Sequence, residues 1–186
     1  MNLSFANKVT IGRILAVPFF TATLLYYSPD RDHLRLVALG IFLVAMISDV
    51  IDGYIARTRH QKTKAGAILD PLADKLLLIS AFLCLSKVDK FFGVVQFPIW
   101  FVVGVISRDV ILLLGAMIIY QVHGRLDIEP TRWGKTTTFL QVLSILGIFL
   151  QWTFSPALWL VTIVFTLISG LGYIRNGVKV LNVPNP

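Results

Sequence analysis

Apolar residues in this chain do not alternate; they collect into long runs separated by short polar clusters. A helix needs about 20 mostly apolar residues to cross a bilayer. Six runs approach that length, at about 9–27, 34–55, 66–86, 93–120, 136–153 and 156–176. The breaks between them carry turn formers and charges: Ser28-Pro29-Asp30-Arg31-Asp32, Lys87-Val88-Asp89-Lys90, His123-Gly124-Arg125 and Ser155-Pro156. No internal repeat, low-complexity tract or long linker divides them. The pattern predicts an all-α membrane protein, a six-transmembrane-helix bundle with a short N-terminal juxtamembrane segment, forming one domain over residues 1–186.

Composition agrees with that reading. The 186 residues are 56% hydrophobic and 15% charged, with mean hydropathy +0.77, whereas a soluble domain carries roughly a quarter charged residues. Net charge is +7, from 17 Lys and Arg against 10 Asp and Glu. In a membrane protein this excess is loop charge that sets topology and meets anionic headgroups. Nucleic acid is not an expected partner, because no basic run combines with exposed aromatics. Cys84 is the only cysteine and lies in an apolar run, so it reads as a small core residue. Arg13 falls inside the first apolar run, which favours a retained helix over a cleaved signal segment.

The basic residues also orient the bundle. With six spans, both termini share a side with the second–third and fourth–fifth loops. That side holds Lys8, Arg57, Arg59, Lys62, Lys64, Arg125, Arg132, Lys135, Arg175 and Lys179. The other holds Arg31, Arg35, Lys87 and Lys90, partly offset by Asp30, Asp32 and Asp89. The positive-inside rule therefore places both termini in the cytoplasm.

Four acids on that side do not fit a lipid-soluble chain. Asp49, Asp52, Gly53 and Ala56 recur at i, i+3, i+4 and i+7, one stripe of a helix. Gly66, Asp70 and Asp74 form a second stripe, and the short loop between them makes the two helices antiparallel neighbours. Facing carboxylates about 4 Å apart repel by roughly 4 kcal/mol at an effective dielectric of 20. A divalent cation removes that repulsion, and oxygen donors select Mg²⁺, Mn²⁺ or Ca²⁺ over zinc. The small residues beside the acids leave room for a flat ligand; simple helix packing is their competing explanation.

The full pattern, Asp49-x2-Asp52-Gly53-x2-Ala56-Arg57-x8-Gly66-x3-Asp70-x3-Asp74, resembles without gap or substitution the signature of the CDP-alcohol phosphotransferase (CDP-alcohol phosphatidyltransferase) family. The resemblance implies a homodimeric membrane enzyme of the bacterial inner membrane that transfers a phosphatidyl group from a CDP-linked donor to an alcohol and releases CMP. It implies that Asp49, Asp52, Asp70 and Asp74 hold one or two Mg²⁺ or Mn²⁺ ions, with Asp74 also the general base. Gly53, Ala56 and Gly66 would line the cytidine pocket, and Arg57 would reach a phosphate or fix the loop. Asn7-x2-Thr10-x2-Arg13 is similar to the family's segment beside the nucleotide, although snorkelling to headgroups also explains Arg13.

Within the family, three segments look like the phosphatidylglycerophosphate synthase branch: Asn7-Lys8-Val9-Thr10, Leu69-Asp70-Pro71-Leu72-Ala73-Asp74-Lys75 and Gly134-Lys135-x2-Thr138-x2-Gln141. In that branch CDP-diacylglycerol is the donor and glycerol 3-phosphate the acceptor. Arg108, deep in the fourth run, together with Lys135 and Thr138, would bind the acceptor. For Arg108, Asp109 and Lys75 an internal set of ion pairs is the competing reading, and for Lys135 an ordinary juxtamembrane base. The chain departs from the branch at Asp109, where Glu is common, and at Ala116, where a second arginine is common. Ser107-Arg108-Asp109-Val110 is instead similar to the cardiolipin synthases of the family, whose acceptor is phosphatidylglycerol. Glycerol 3-phosphate is the first expectation and phosphatidylglycerol the alternative. From other classes, a cation transporter with a carboxylate ion site would need acids near the midplane and inverted repeats, and a silent scaffold would have no use for the acids.

Overall fold

In the computed structural model the described residues are 5–58, 64–87, 96–123 and 132–181. They form six α-helices: α1 (Phe5–Leu25), α2 (His33–Thr58), α3 (Lys64–Lys87), α4 (Ile99–His123), α5 (Arg132–Phe149) and α6 (Ser155–Leu181), with a 3₁₀ turn at Pro29–Arg31 between α1 and α2. Three contain stretches long and apolar enough to cross a membrane: His33–Ile51, Ile99–Ile118 and Ser155–Arg175. In α1 the apolar stretch is shorter, Val9–Leu25. The outward faces of the three long helices are lined with Leu36, Val44, Ile47, Ile99, Val103, Leu160, Leu167 and other large apolar residues. Apolar exposure over whole helix faces suits a hydrocarbon surround and not water. This is a membrane protein.

Two boundaries differ from the sequence expectation. The fourth helix begins at Ile99 and not near residue 93, directly after Pro98, whose carbonyl accepts from the Phe101 and Val102 amides at 3.0 and 3.3 Å. The fifth spans Arg132–Phe149 where about 136–153 was expected. Its end is a Schellman turn: Trp152 N–H donates to the Gly147 carbonyl at 2.9 Å and Gln151 N–H to that of Ile148 at 3.1 Å. Gln151 takes the left-handed conformation, φ 55°, that glycine usually supplies there. Apolar Ile148, Phe149 and Leu150 run through this turn without a polar break, so hydropathy alone overshot it.

The helices group into two units, residues 1–96 and 97–186. In the first, α1 packs on both α2 and α3, while α2 and α3 touch little among the described residues. Phe20 of α1 meets Phe42 of α2 with ring centroids 5.9 Å apart, and Arg13 meets Asp49. Residue numbers rise on one helix as they fall on the other, so α1 and α2 run antiparallel. Helices in lipid gain little from the hydrophobic effect between them and rely on close packing. Ala38, Ala45, Ala73 and Ala81 are all buried and permit that approach. Cys84 is buried too, within hydrogen-bond reach of Thr21, as its apolar setting predicts.

The second unit repeats the plan with α6 in the middle, packed on both α4 and α5. A Cβ on Gly104 would lie 2.5 Å from the Ile163 side chain, and one on Gly115 2.8 Å from the Tyr173 ring. These contacts advance together along α4 and α6, so those two helices are parallel. Against α5, α6 is antiparallel: Ser144 bonds Thr162 at 3.1 Å, and Thr137 donates to the Phe165 carbonyl at 3.1 Å. A polar seam of Thr137, Gln141 and Ser144 on α5 and Thr162, Thr166 and Ser169 on α6 is buried along these contacts. Its hydroxyls are satisfied largely by carbonyls one turn back, as with Thr162 to Leu158 and Thr166 to Thr162, both 2.7 Å. That is the hydrogen bonding a low-dielectric surround demands.

Candidate active site

α2 is helical without interruption from His33 to Thr58, and α3 from Lys64 to Lys87. The two sequence stripes are therefore carried on real helix faces. Asp49, Asp52, Gly53 and Ala56 share one face of the last turns of α2, and Gly66, Asp70 and Asp74 share one face of the first turns of α3. Pro71 sits inside α3 and lacks an N–H, so the backbone bond to the Ala67 carbonyl is missing beside the third and fourth acids. The side chains of Asp52, Gly53, Ala56, Arg57, Gly66 and Asp70 lie outside the described residues. Of the four acids, the structure describes Asp49 and Asp74.

Asp49 is held by α1. Its Oδ1 lies 2.5 Å from Nη1 of Arg13, and the arginine side chain is 3% exposed against 37% for the aspartate. Thr10, one turn earlier on the same face of α1, is also buried. Arg13 thus does not snorkel to headgroups; it turns inward to the first acid of the signature. The contact is close but lacks the alignment of a hydrogen bond, and Arg13 Nε has no partner among the described residues. Sequence reading gave Arg13 only as part of a loose N-terminal similarity. The signal that could have found the pair is the shared face of Thr10 and Arg13 together with Asp49's need for a counter-charge.

Asp74 and Lys75 are half-buried on α3, and each has interaction partners. Ala73 beside them is fully buried, so this part of α3 faces the core of its unit. Among the described residues no three acids, histidines or cysteines come together as a metal cluster.

The expected acceptor residues all lie in the second unit. Arg108 is 6% and Asp109 2% exposed. Arg108 Nη1 donates to Asp109 Oδ1 at 2.7 Å, and Nη2 to the Ser169 hydroxyl at 2.6 Å. The guanidinium is thus clamped between its own helix and α6, close to the ion-pair reading. Its Nε has no partner among the described residues. Lys135 is exposed on α5, and Thr138 donates to the Gly134 carbonyl at 3.2 Å one turn back. The described contacts do not bring Arg108 together with either of them. Ala116, where the branch commonly has arginine, is half-buried on α4.

Comparison with known proteins settles the family. The CDP-alcohol phosphatidyltransferase family matches residues 3–168, which takes in all four acids and most of the second unit. The chain belongs to that family. Among relatives, a probable phosphatidylglycerophosphate synthase of Mycobacterium tuberculosis is 31% identical over 95% of this chain and 82% of its own length. The CDP-diacylglycerol–glycerol-3-phosphate 3-phosphatidyltransferase of Bacillus subtilis is 30% identical over 96% of this chain and 97% of its own. A cardiolipin synthase (CMP-forming) of Rattus norvegicus is 28% identical over 97% of this chain and 65% of its own length.

Proposed function

We propose that this protein is a divalent-metal-dependent phosphatidyltransferase that uses CDP-diacylglycerol as donor and glycerol 3-phosphate as acceptor, giving phosphatidylglycerophosphate and CMP. The observation that carries this is the complete eight-residue signature, laid on two uninterrupted helices of a chain that matches the family over nearly its whole length. The relatives named for glycerol 3-phosphate transfer, aligned over almost all of the chain, support that acceptor.

The donor set fits a hard cation. All four candidate ligands are carboxylates, and Asp49, the first acid of the signature, is 37% exposed and open enough to take a ligand. When bound, Mg²⁺ or Mn²⁺ would neutralise the donor pyrophosphate and the departing CMP. Asp49, Asp52 and Asp70 would hold it, together with Asp74. Asp74 would take the proton from the acceptor hydroxyl. The resulting oxygen attacks the lipid-bearing phosphorus, a new P–O ester bond forms, and the bond from that phosphorus to the bridging oxygen breaks. CMP leaves with the electron pair. Gly53, Ala56 and Gly66 would give the cytidine room, with Thr10, Arg13 and Arg57 near its phosphates. Arg108, Lys135 and Thr138 would receive the acceptor phosphate. In this reading all six helices cross the bilayer, both termini and the aspartates are cytoplasmic, and two copies form a homodimer.

A second acceptor is favoured by one specific feature. Ser107-Arg108-Asp109-Val110 is similar to the cardiolipin synthases, and the buried clamp on Arg108 engages both terminal nitrogens of its guanidinium. Phosphatidylglycerol is that alternative. The deciding experiment is purified protein with CDP-diacylglycerol and Mg²⁺, with CMP release measured separately with glycerol 3-phosphate, phosphatidylglycerol, inositol phosphate and serine. Release with glycerol 3-phosphate alone is expected. Near-normal release by Asp74→Asn or Asp70→Asn would show the assigned roles to be wrong.

A further inference from the structure

Arg13 raises a question that the reaction scheme leaves open. It is a buried cation in a membrane helix, and its described partner is a carboxylate that the proposed reaction needs as a metal ligand. A buried guanidinium must be compensated. Here the compensation comes from Asp49 at 2.5 Å, in a contact without hydrogen-bond alignment, and Nε has no partner among the described residues. Such a pair is held by charge and not by an aligned hydrogen bond, so the guanidinium keeps donors for a second anion. Asp49 is also the partly open member of the pair, 37% exposed against 3% for Arg13.

We infer that Arg13 is the resident counter-ion of Asp49, exchanged on loading: a divalent cation takes the carboxylate, and an anionic pyrophosphate takes the released guanidinium. This rests on the metal-dependent reading above and deepens it. With metal alone, Arg13 must give up its described partner to the cation with no anion taking its place, so metal binds less tightly. With a nucleoside diphosphate present, the phosphates compensate both cations. Metal and donor therefore bind with positive coupling through Arg13. The protein avoids holding metal in the absence of donor.

The test uses the full-length protein in detergent, with Mn²⁺ binding followed by electron paramagnetic resonance and by melting temperature, with and without CDP. In the wild type, Mn²⁺ alone binds weakly and CDP tightens it at least tenfold beyond the association of Mn²⁺ with CDP in solution. In Arg13→Gln, Mn²⁺ alone binds about fivefold to tenfold more tightly and raises the melting temperature more than in wild type, while the tightening by CDP falls towards that of the solution complex. Arg13→Lys keeps the charge and keeps weak binding of Mn²⁺ alone. If Arg13→Gln is unfolded without metal, Mn²⁺ alone restores its fold, because the cation replaces the missing counter-charge; failure to restore it overturns the inference. Equal Mn²⁺ affinity in wild type and Arg13→Gln, with coupling intact, also overturns it while leaving the metal site standing. No Mn²⁺ binding by the wild type under any condition overturns both the inference and the metal-dependent reading.

Discussion

Each unit contains an arginine–aspartate pair in an apolar helix setting, and the two pairs are built differently. Arg13 and Asp49 come from different helices, meet at 2.5 Å without hydrogen-bond alignment, and leave the acid 37% exposed. Arg108 and Asp109 are neighbours on one helix, share a hydrogen bond of 2.7 Å, and are sealed from solvent with Ser169 of α6 as a third member. A pair that is loose and open can exchange partners, whereas one that is aligned, buried and tied to a second helix holds that helix in place. The first unit therefore carries the adjustable charge and the second the fixed one. Mutations should separate the two, turnover being the sharper readout for the first pair and stability for the second.

The largest effect belongs to Asp49→Asn. Loss of even an outer partner of a metal ligand typically costs roughly 10–100-fold, so if Asp49 is the metal ligand proposed above, removing its charge lowers CMP release by about 100-fold or more. Stability should fall as well, because the substitution leaves the Arg13 guanidinium, 3% exposed, without its described counter-charge. Turnover with CDP-diacylglycerol, read beside unfolding in mixed micelles, checks both halves. A large loss of stability with retained turnover would reverse the roles of the two pairs.

Arg108→Met should show first in stability. Breaking a buried pair by removing one partner costs about 3–5 kcal/mol, and Ser169 loses its donor as well. Adding Asp109→Leu should recover most of that loss, because a well-packed apolar pair is often as stable as the ions it replaces. The double variant also isolates function. If it folds and still releases CMP at the wild-type rate with glycerol 3-phosphate, Arg108 serves only to hold α4 against α6. If it folds but is inactive with that acceptor, the arginine also meets substrate.

The sequence made the family legible and the packing much less so. The acid stripes could be read because carboxylates are rare and costly in apolar helices, so their spacing stands out, and the family match covers them. The six helices were legible for the same reason: long apolar runs have few alternatives. Three things were hidden. The central positions of α1 and α6 depend on which small residues meet, and alanine and glycine are spread through all six runs. The Arg13–Asp49 contact joins residues 36 positions apart with no local signature. The α5–α6 seam is made of threonines and serines, which bond to their own helix and so look neutral one at a time.

Gln141 gives the smallest effect and sharpens the comparison within the second unit. It lies in the seam at 0% exposure, yet neither its Oε1 nor its Nε2 has a partner among the described residues. Thr137 and Ser144, one turn away on either side, are both bonded. An unsatisfied buried amide costs about 1–3 kcal/mol, so Gln141→Met, similar in length and without that demand, should stabilise the protein by about 1–2 kcal/mol and leave CMP release unchanged. The expected sign is opposite to that of Arg108→Met, although both replace a buried polar side chain of the same unit with the same residue. Satisfaction, and not burial, decides which polar group the second unit needs. If Gln141→Met instead lowered the melting temperature, the glutamine would have a bound partner in the working enzyme, and the seam would be a binding surface and not only a packing one.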